Sequence, residues 1–157
     1  MIIIGPTLKS GIGQHAYKYS TLFPDQNYHL IGTELPECEH GLIFTIPVRE
    51  QIEYIKYAKT RVKNLACMTV CETETVHEDY GLLIEQFNTI FVPSEFCKRV
   101  LSNQFPNTTF KVIHAHIPSH YKKLYVFYHI GNISDPRKNF REVLRAFIRL
   151  NKEDTRL

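Results

Sequence analysis

Two carboxylates, Glu72 and Glu74, stand two residues apart in the stretch MTVCETETVHEDY, at the end of an apolar run. Alternate residues of an extended chain share a side, so both can face one cleft. A pair of carboxylates is what an acid–base glycoside hydrolase uses; the same spacing also suits a solvated acidic loop. The loop KSGIGQH, Lys9 to His15, offers a different chemistry. Gly11 and Gly13 let the backbone pass close to a ligand, and free amides at a helix start suit an oxyanion or a phosphate. Glycines two apart, with no third at the required spacing, fall short of the dinucleotide fingerprint. A Gly-capped strand–helix loop is the plain alternative. On the ligand reading, a bulky residue at Gly13 is expected to damage ligand binding more than folding. A third cluster lies in GNISDPRKNF, where Gly131 permits a tight turn and Arg137 and Lys138 stand at a helix start that already favours an anion.

Cys67 and Cys71, with His77 nearby, do not read as a zinc site. On a strand at ~3.3 Å per residue the two thiols are about 13 Å apart, too far to share a metal. No metal is expected. No Ser-His-Asp or Cys-His nucleophile arrangement can be read from residue order alone.

These residues need elements to hold them. Met1 to Ile4 reads as a buried strand, followed by the Gly-rich loop and a helix from about Gln14 to Leu22. Tyr28–Ile31 and Leu42–Ile46 are short apolar strands. Val48–Val62 is helical, with Ile52, Ile55, Ala58 and Val62 on one side. Leu65–Cys71 is a strand whose mostly apolar run suits burial on both faces. A short helix over Tyr80–Gln86 and a strand over Thr89–Val92 follow. Pro93-Ser94 ends that strand, and Ser94 is a good N-cap for a helix carrying Phe96, Cys97, Val100 and Leu101. Phe110–Ile113 is the next strand, and Ala115–Lys123 a linker. Tyr125–Ile130 is a strand, and Lys138–Leu150 a helix with the stripe Phe140, Val143, Leu144, Phe147 and Ile148. Strands alternating with helices predict an α/β fold, a mostly parallel sheet with helices on both faces.

At 157 residues and 43% apolar content the chain suffices for one domain with a proper core. A net charge of +3, with scattered Lys and Arg, does not point to nucleic acid. No apolar run approaches the roughly 20 residues of a membrane span. MIIIGP has no basic region before its short apolar run, so it is not a signal peptide. Four cysteines without such a signal fit reduced thiols and a cytoplasmic location.

The segment YVFYHIGNISDPRKNFREVLRAFIRLN resembles the opening of the donor-nucleotide domain in GT-B glycosyltransferases of the large retaining group often called family 4. There a strand runs into Gly-Arg, a short loop, Lys-Gly and a long helix. Gly131 and Lys138 match; Asn132 stands where the family has Arg, and Asn139 where it often has Gly. Upstream, Glu72-Thr73, Tyr80 and FVPSEFCKRVL follow the family's order of a Glu-Thr pair, an aromatic residue and a strand ending in Pro-Ser-Glu. KSGIG matches its Gly-rich loop after the first strand.

The resemblance implies a Rossmann-like acceptor-side domain over residues 1–117. Residues 118–157 would be a linker and the first strand–helix unit of an incomplete donor domain. It implies a donor-phosphate role for Lys138, with Arg137 and Gly131, and a cleft-lining role for Gly11, Gly13 and His15. Glu72 and Glu74 fall on the acceptor side. His114, His116 and His120 fall at the family's hinge, as cleft-edge or solvent residues. The expected activity is retaining transfer of a sugar from a nucleotide-sugar, a substrate rather than a cofactor, to a hydroxyl of a glycan or small-molecule acceptor. The family's Glu-x7-Glu motif would follow residue 157, so the chain is expected to be truncated and inactive alone. Its apolar last helix would then mediate self-association or docking to a second polypeptide carrying the donor half. A non-catalytic binding or scaffolding module of the same fold is the alternative.

Overall fold

A computed structural model describes residues 1–25, 27–115 and 139–150. The chain divides into two units, Met1–Ile117 and Pro118–Leu157. The first contains β1 (Ile2–Gly5), α1 (Gly11–Ser20), β2 (Tyr28–Leu30), β3 (Cys38–Phe44), α2 (Arg49–Arg61) and β4 (Val62–Met68). It continues with α3 (Asp79–Ile84), β5 (Thr89–Val92), α4 (Glu95–Gln104) and β6 (Thr109–Val112). The six strands form one sheet in the order β2-β1-β3-β4-β5-β6, and every pairing is parallel. The fold is a Rossmann-like α/β fold, with a sheet parallel throughout.

Strand residues alternate between two cores, as the pleat requires. Ile2, Ile4, Ile43, Cys67, Ile90, Val92 and Phe110 pack with Ile55 and Ala58 of α2, Leu83 and Ile84 of α3, and Cys97, Val100 and Leu101 of α4. Ile3, Leu42, Phe44 and Met68 pack with Ala16 and Tyr19 of α1. Helices therefore cover both faces, and unequally. Full burial of an Ile or Phe stabilises by roughly 1.5–3 kcal/mol, so these side chains hold the layers together. A Cβ added to Gly5 would stand 2.7 Å from the Ala16 Cβ and 2.8 Å from the Tyr28 hydroxyl. Glycine at the end of β1 is what lets α1 lie this close to the sheet.

The structure shifts several predicted boundaries. β3 begins at Cys38 and β4 at Val62, before the apolar runs. Their first residues, among them Glu39, His40, Lys63 and Asn64, are polar and exposed yet paired in one ladder from Cys38–Val62 to Phe44–Met68. β1 joins β3 only from Gly41, and β5 joins β4 only at Cys67. β4 ends at Met68 rather than Cys71, although the Thr69 amide still donates to the Phe91 carbonyl at 3.0 Å.

In the second unit the described element is α5 (Phe140–Leu150). Asn139 precedes it in the left-handed region, φ 47°, and its carbonyl accepts from the amides of Glu142 and Val143. Leu144 and Ile148 on the apolar stripe are exposed. Gly131, Arg137, Lys138, His116, His120 and the predicted strand Tyr125–Ile130 lie outside the described residues. Among the described residues no helix is long and apolar enough to cross a membrane.

Candidate functional site

Parallel strands bring all their carboxyl ends to one edge. Open α/β sheets bind ligands at that edge, where consecutive connections leave for opposite faces. Here that point lies between β1 and β3. The chain leaves β1 for α1, against one core, and leaves β3 for α2, against the other. The loops 6–10 and 45–48 flank this crevice, and the exits of β4 and β5 continue the same rim.

The β1–α1 loop is organised by its own hydrogen bonds. The Ser10 hydroxyl donates to the Thr7 carbonyl at 2.9 Å and accepts from the Gly13 amide at 3.1 Å, capping α1. The Lys9 amide donates to Thr7 Oγ1, and Gln14 Nε2 reaches the Leu8 carbonyl. The Tyr28 hydroxyl donates to the Pro6 carbonyl at 2.5 Å. Gly13 is buried, and a Cβ there would stand 2.2 Å from the Thr7 oxygen and 2.6 Å from the Pro6 oxygen. The approach that Gly13 permits is to the chain's own loop. This corrects the expectation that bulk at Gly13 harms ligand binding before folding. Gly11 is exposed with nothing within 4 Å of an added Cβ, so it is the glycine that opens to solvent.

His15 lies one turn into α1. Its ring meets Tyr19 and Phe44 edge-on, with centroids 5.2 and 5.5 Å away. Phe44 is the last residue of β3, so His15 links α1 to the second wall of the crevice. Its Nε2 is buried and, among the described residues, has no hydrogen-bond partner. Burial first, and the nearby Lys18 charge second, hold its pKa below the ordinary 6.5, keeping the ring neutral at pH 7.

Sequence reasoning missed the second wall. Thr45 is fully buried, and its hydroxyl bonds Gln51 Oε1 at 2.6 Å; the same oxygen accepts from the Ile46 amide at 3.3 Å. Gln51 reaches back to the loop where Val48 gives α2 no side-chain cap. The available signal was the Gln three residues past the cap position, a capping-box placement.

Glu72 and Glu74 follow β4, and both are exposed. The extended geometry assumed for them is absent, because the chain bends over 73–75 and Thr73 Oγ1 donates to the Thr75 carbonyl at 2.7 Å. Glu74 is drawn to Arg99 of α4 at 3.6 Å, and its carbonyl accepts from Gln104 Nε2 at 3.5 Å. Glu72 keeps its place beside the rim. Tyr80, whose hydroxyl donates to the Val70 carbonyl at 2.6 Å, is pushed up to about 12 by burial, then by Cys71, Cys97 and Glu72. Ser94 caps α4 as its sequence suggests, accepting from the Cys97 amide at 3.2 Å.

Cys67 is sealed in the core, where burial drives its thiol pKa up. His77 turns to Asp79, 3.1 Å away, and His114 Nδ1 lies 3.3 Å from the Pro93 carbonyl. Among the described residues no three His, Cys, Asp or Glu side chains gather as metal ligands would. Two grooves of about 530 Å³ lie away from the rim. One opens at the amino end of β3 and β4, beside Glu37, Arg61 and Lys63; the other lies between α2 and α3. Each is lined by charges of both signs, unlike the uniform field an anionic ligand favours. The chain matches no family model, no curated protein and no solved structure at a significant level.

Proposed function

We propose that this chain is the acceptor-side Rossmann-like part of a family-4-like retaining glycosyltransferase. It would supply one wall of a site that moves a sugar from a nucleotide-sugar to an acceptor hydroxyl. The observation that carries this reading is the crevice between the exits of β1 and β3. The capped start of α1 at Gly11 stands on one side, neutral His15 spans the gap to Phe44, and Glu72 lies farther along the rim. A neutral imidazole has one donor and one acceptor nitrogen and can hold a hydroxyl or a phosphoryl oxygen by one hydrogen bond. On this reading Glu72 orients an acceptor hydroxyl, and Arg137 and Lys138 serve the donor phosphates. The free thiols suit a reducing, cytoplasmic setting.

The test is an NMR titration of the chain with UDP- and GDP-sugars and with sugar acceptors. Shifts centred on Gly11, Ile12, His15 and Glu72 are expected. Shifts confined to Glu37–Glu39 and Lys59–Lys63, at the amino end of β3 and β4, or none at millimolar ligand, overturn the reading.

One observation favours a second reading, a binding module without chemistry. The carboxylates once paired in sequence are parted by the bend, with Glu74 engaged by Arg99. Binding at the rim without transfer, when a donor half is supplied in trans, would select it.

A further inference from the structure

Cys71 and Cys97 are 26 residues apart in sequence and meet at the rim. The Cys97 thiol donates to the Cys71 carbonyl at 3.2 Å, and the Cys71 sulfur lies 3.9 Å from the Cys97 carbonyl. Both are free and nearly buried, at 4% and 3% exposure. Each sulfur thus lies against the other residue's backbone, an arrangement that only closely apposed residues can make. A disulfide asks for Cα atoms about 4.4–6.8 Å apart and for Cβ atoms about 3.5–4.5 Å apart that point toward one another. The other cysteines lack such a partner. Cys67 is buried in the strand core, and the Cys38 sulfur bonds the carbonyl of His40, two residues away.

We propose that Cys71 and Cys97 are a reversible oxidation site, closed to an intramolecular disulfide by a low-molecular-weight disulfide such as oxidised glutathione. One thiolate attacks a sulfur of the oxidant, forming a mixed disulfide and releasing one glutathione thiolate. The second protein thiolate attacks the protein-bound sulfur and releases the other. The protein loses two protons and two electrons, and the oxidant is reduced to two glutathione thiols. The oxidant enters by way of the exposed irregular stretch 72–78, next to Cys71. Burial lifts the Cys71 thiol to about 12, so thiolate is scarce and closure at neutral pH is slow.

The bond ties the exit of β4 to the first turn of α4. It closes a loop that contains Glu72, Tyr80 and all of α3, and it fixes the part of the rim where Glu72 stands. Oxidation then acts on the rim through the backbone and needs no contact with a ligand.

The test incubates the folded full chain with oxidised glutathione until its products stop changing, then blocks free thiols and maps peptides by mass. The expected product is a Cys71–Cys97 crosslink, two mass units lighter than the reduced chain and reversed by dithiothreitol. Its unfolding midpoint should rise by several degrees, because the bond restricts the unfolded chain. Cys38→Ser should leave the crosslink intact; Cys71→Ser and Cys97→Ser should each abolish it. The mapping of the unsubstituted chain decides the matter even where a serine variant folds poorly. A glutathione adduct, a Cys38 crosslink or unchanged thiols as the main product overturns the proposal. So does a crosslink that lowers the midpoint, since a pair set for bonding would not strain the fold.

Discussion

The Tyr19 hydroxyl, in the first helix, donates to the carbonyl of His114, just past the last strand of the sheet, at 2.5 Å. The Tyr19 ring also packs on Phe44 and His15. A single side chain thus joins the start of the fold, its centre and the end of its sheet. Tyr19→Phe keeps the ring and strands the carbonyl, costing about 1–3 kcal/mol if water cannot reach it. Urea unfolding should show a lower midpoint with an unchanged slope. A midpoint equal to that of the unsubstituted chain would show that the bond carries no net stability.

Gly11 and Gly13 should respond in opposite ways. Gly13→Ala drives a Cβ into the Thr7 and Pro6 carbonyl oxygens and should destabilise by roughly 2–4 kcal/mol, as overpacking against fixed backbone does. Gly11→Ala meets nothing and should be neutral or stabilise by up to about 1 kcal/mol. Paired thermal melts check both; equal losses would contradict the geometry.

His15 should titrate below 6.5, because burial and then Lys18 disfavour its charged form. The folded value lies under the unfolded one, so the unfolded chain binds more protons through this window. Its contribution to stability is present above pH 6.5 and is lost as pH falls through the folded value. NMR titration of the imidazole carbons reads the midpoint directly, and a value at or above 6.5 would contradict this.

At alkaline pH the sign reverses. Tyr54 and Tyr80 are each raised from 10.0 to about 12, with burial the leading cause, and Cys71 is raised from 9.0 to about 12. Their contribution is full below pH 9 and is lost as pH rises from 9 to 12. Denaturant midpoints at pH 7, 9, 10 and 11 should fall only beyond pH 9. A flat series would contradict the burial of these groups.

The sheet was legible because its signals are local. Thr89–Val92 and the Ser94 cap could be read from a few adjacent residues, as could the apolar face of α2. What escaped depends on distant partners. The polar starts of β3 and β4 pair only because each meets the other, and nothing in Glu39 or Lys63 announces a strand. The bend after Glu72 is stabilised by Thr73 and by Arg99 and Gln104 of α4, far along the chain. Gly5 falls in the Gly-rich loop on sequence grounds, and its role against Ala16 exists only once α1 has packed. The contact of Cys71 with Cys97 is of the same kind.

The unequal strand lengths bear on how the sheet resists growth. Its outermost strands, β2 and β6, have three and four residues, so an added strand would gain few ladder bonds there. The greater exposure lies in the middle. From Cys38 to His40 and from Val62 to Asn64, the β3–β4 ladder runs on as a two-stranded ribbon, with neither β1 nor β5 beside it. Unpaired ribbon edges are templates for intermolecular strand addition, and natural sheets guard them with charge. Glu39, His40 and Lys63 occupy this stub. The residues that look least like strand formers are thereby the ones that keep the longest strands from recruiting a neighbour.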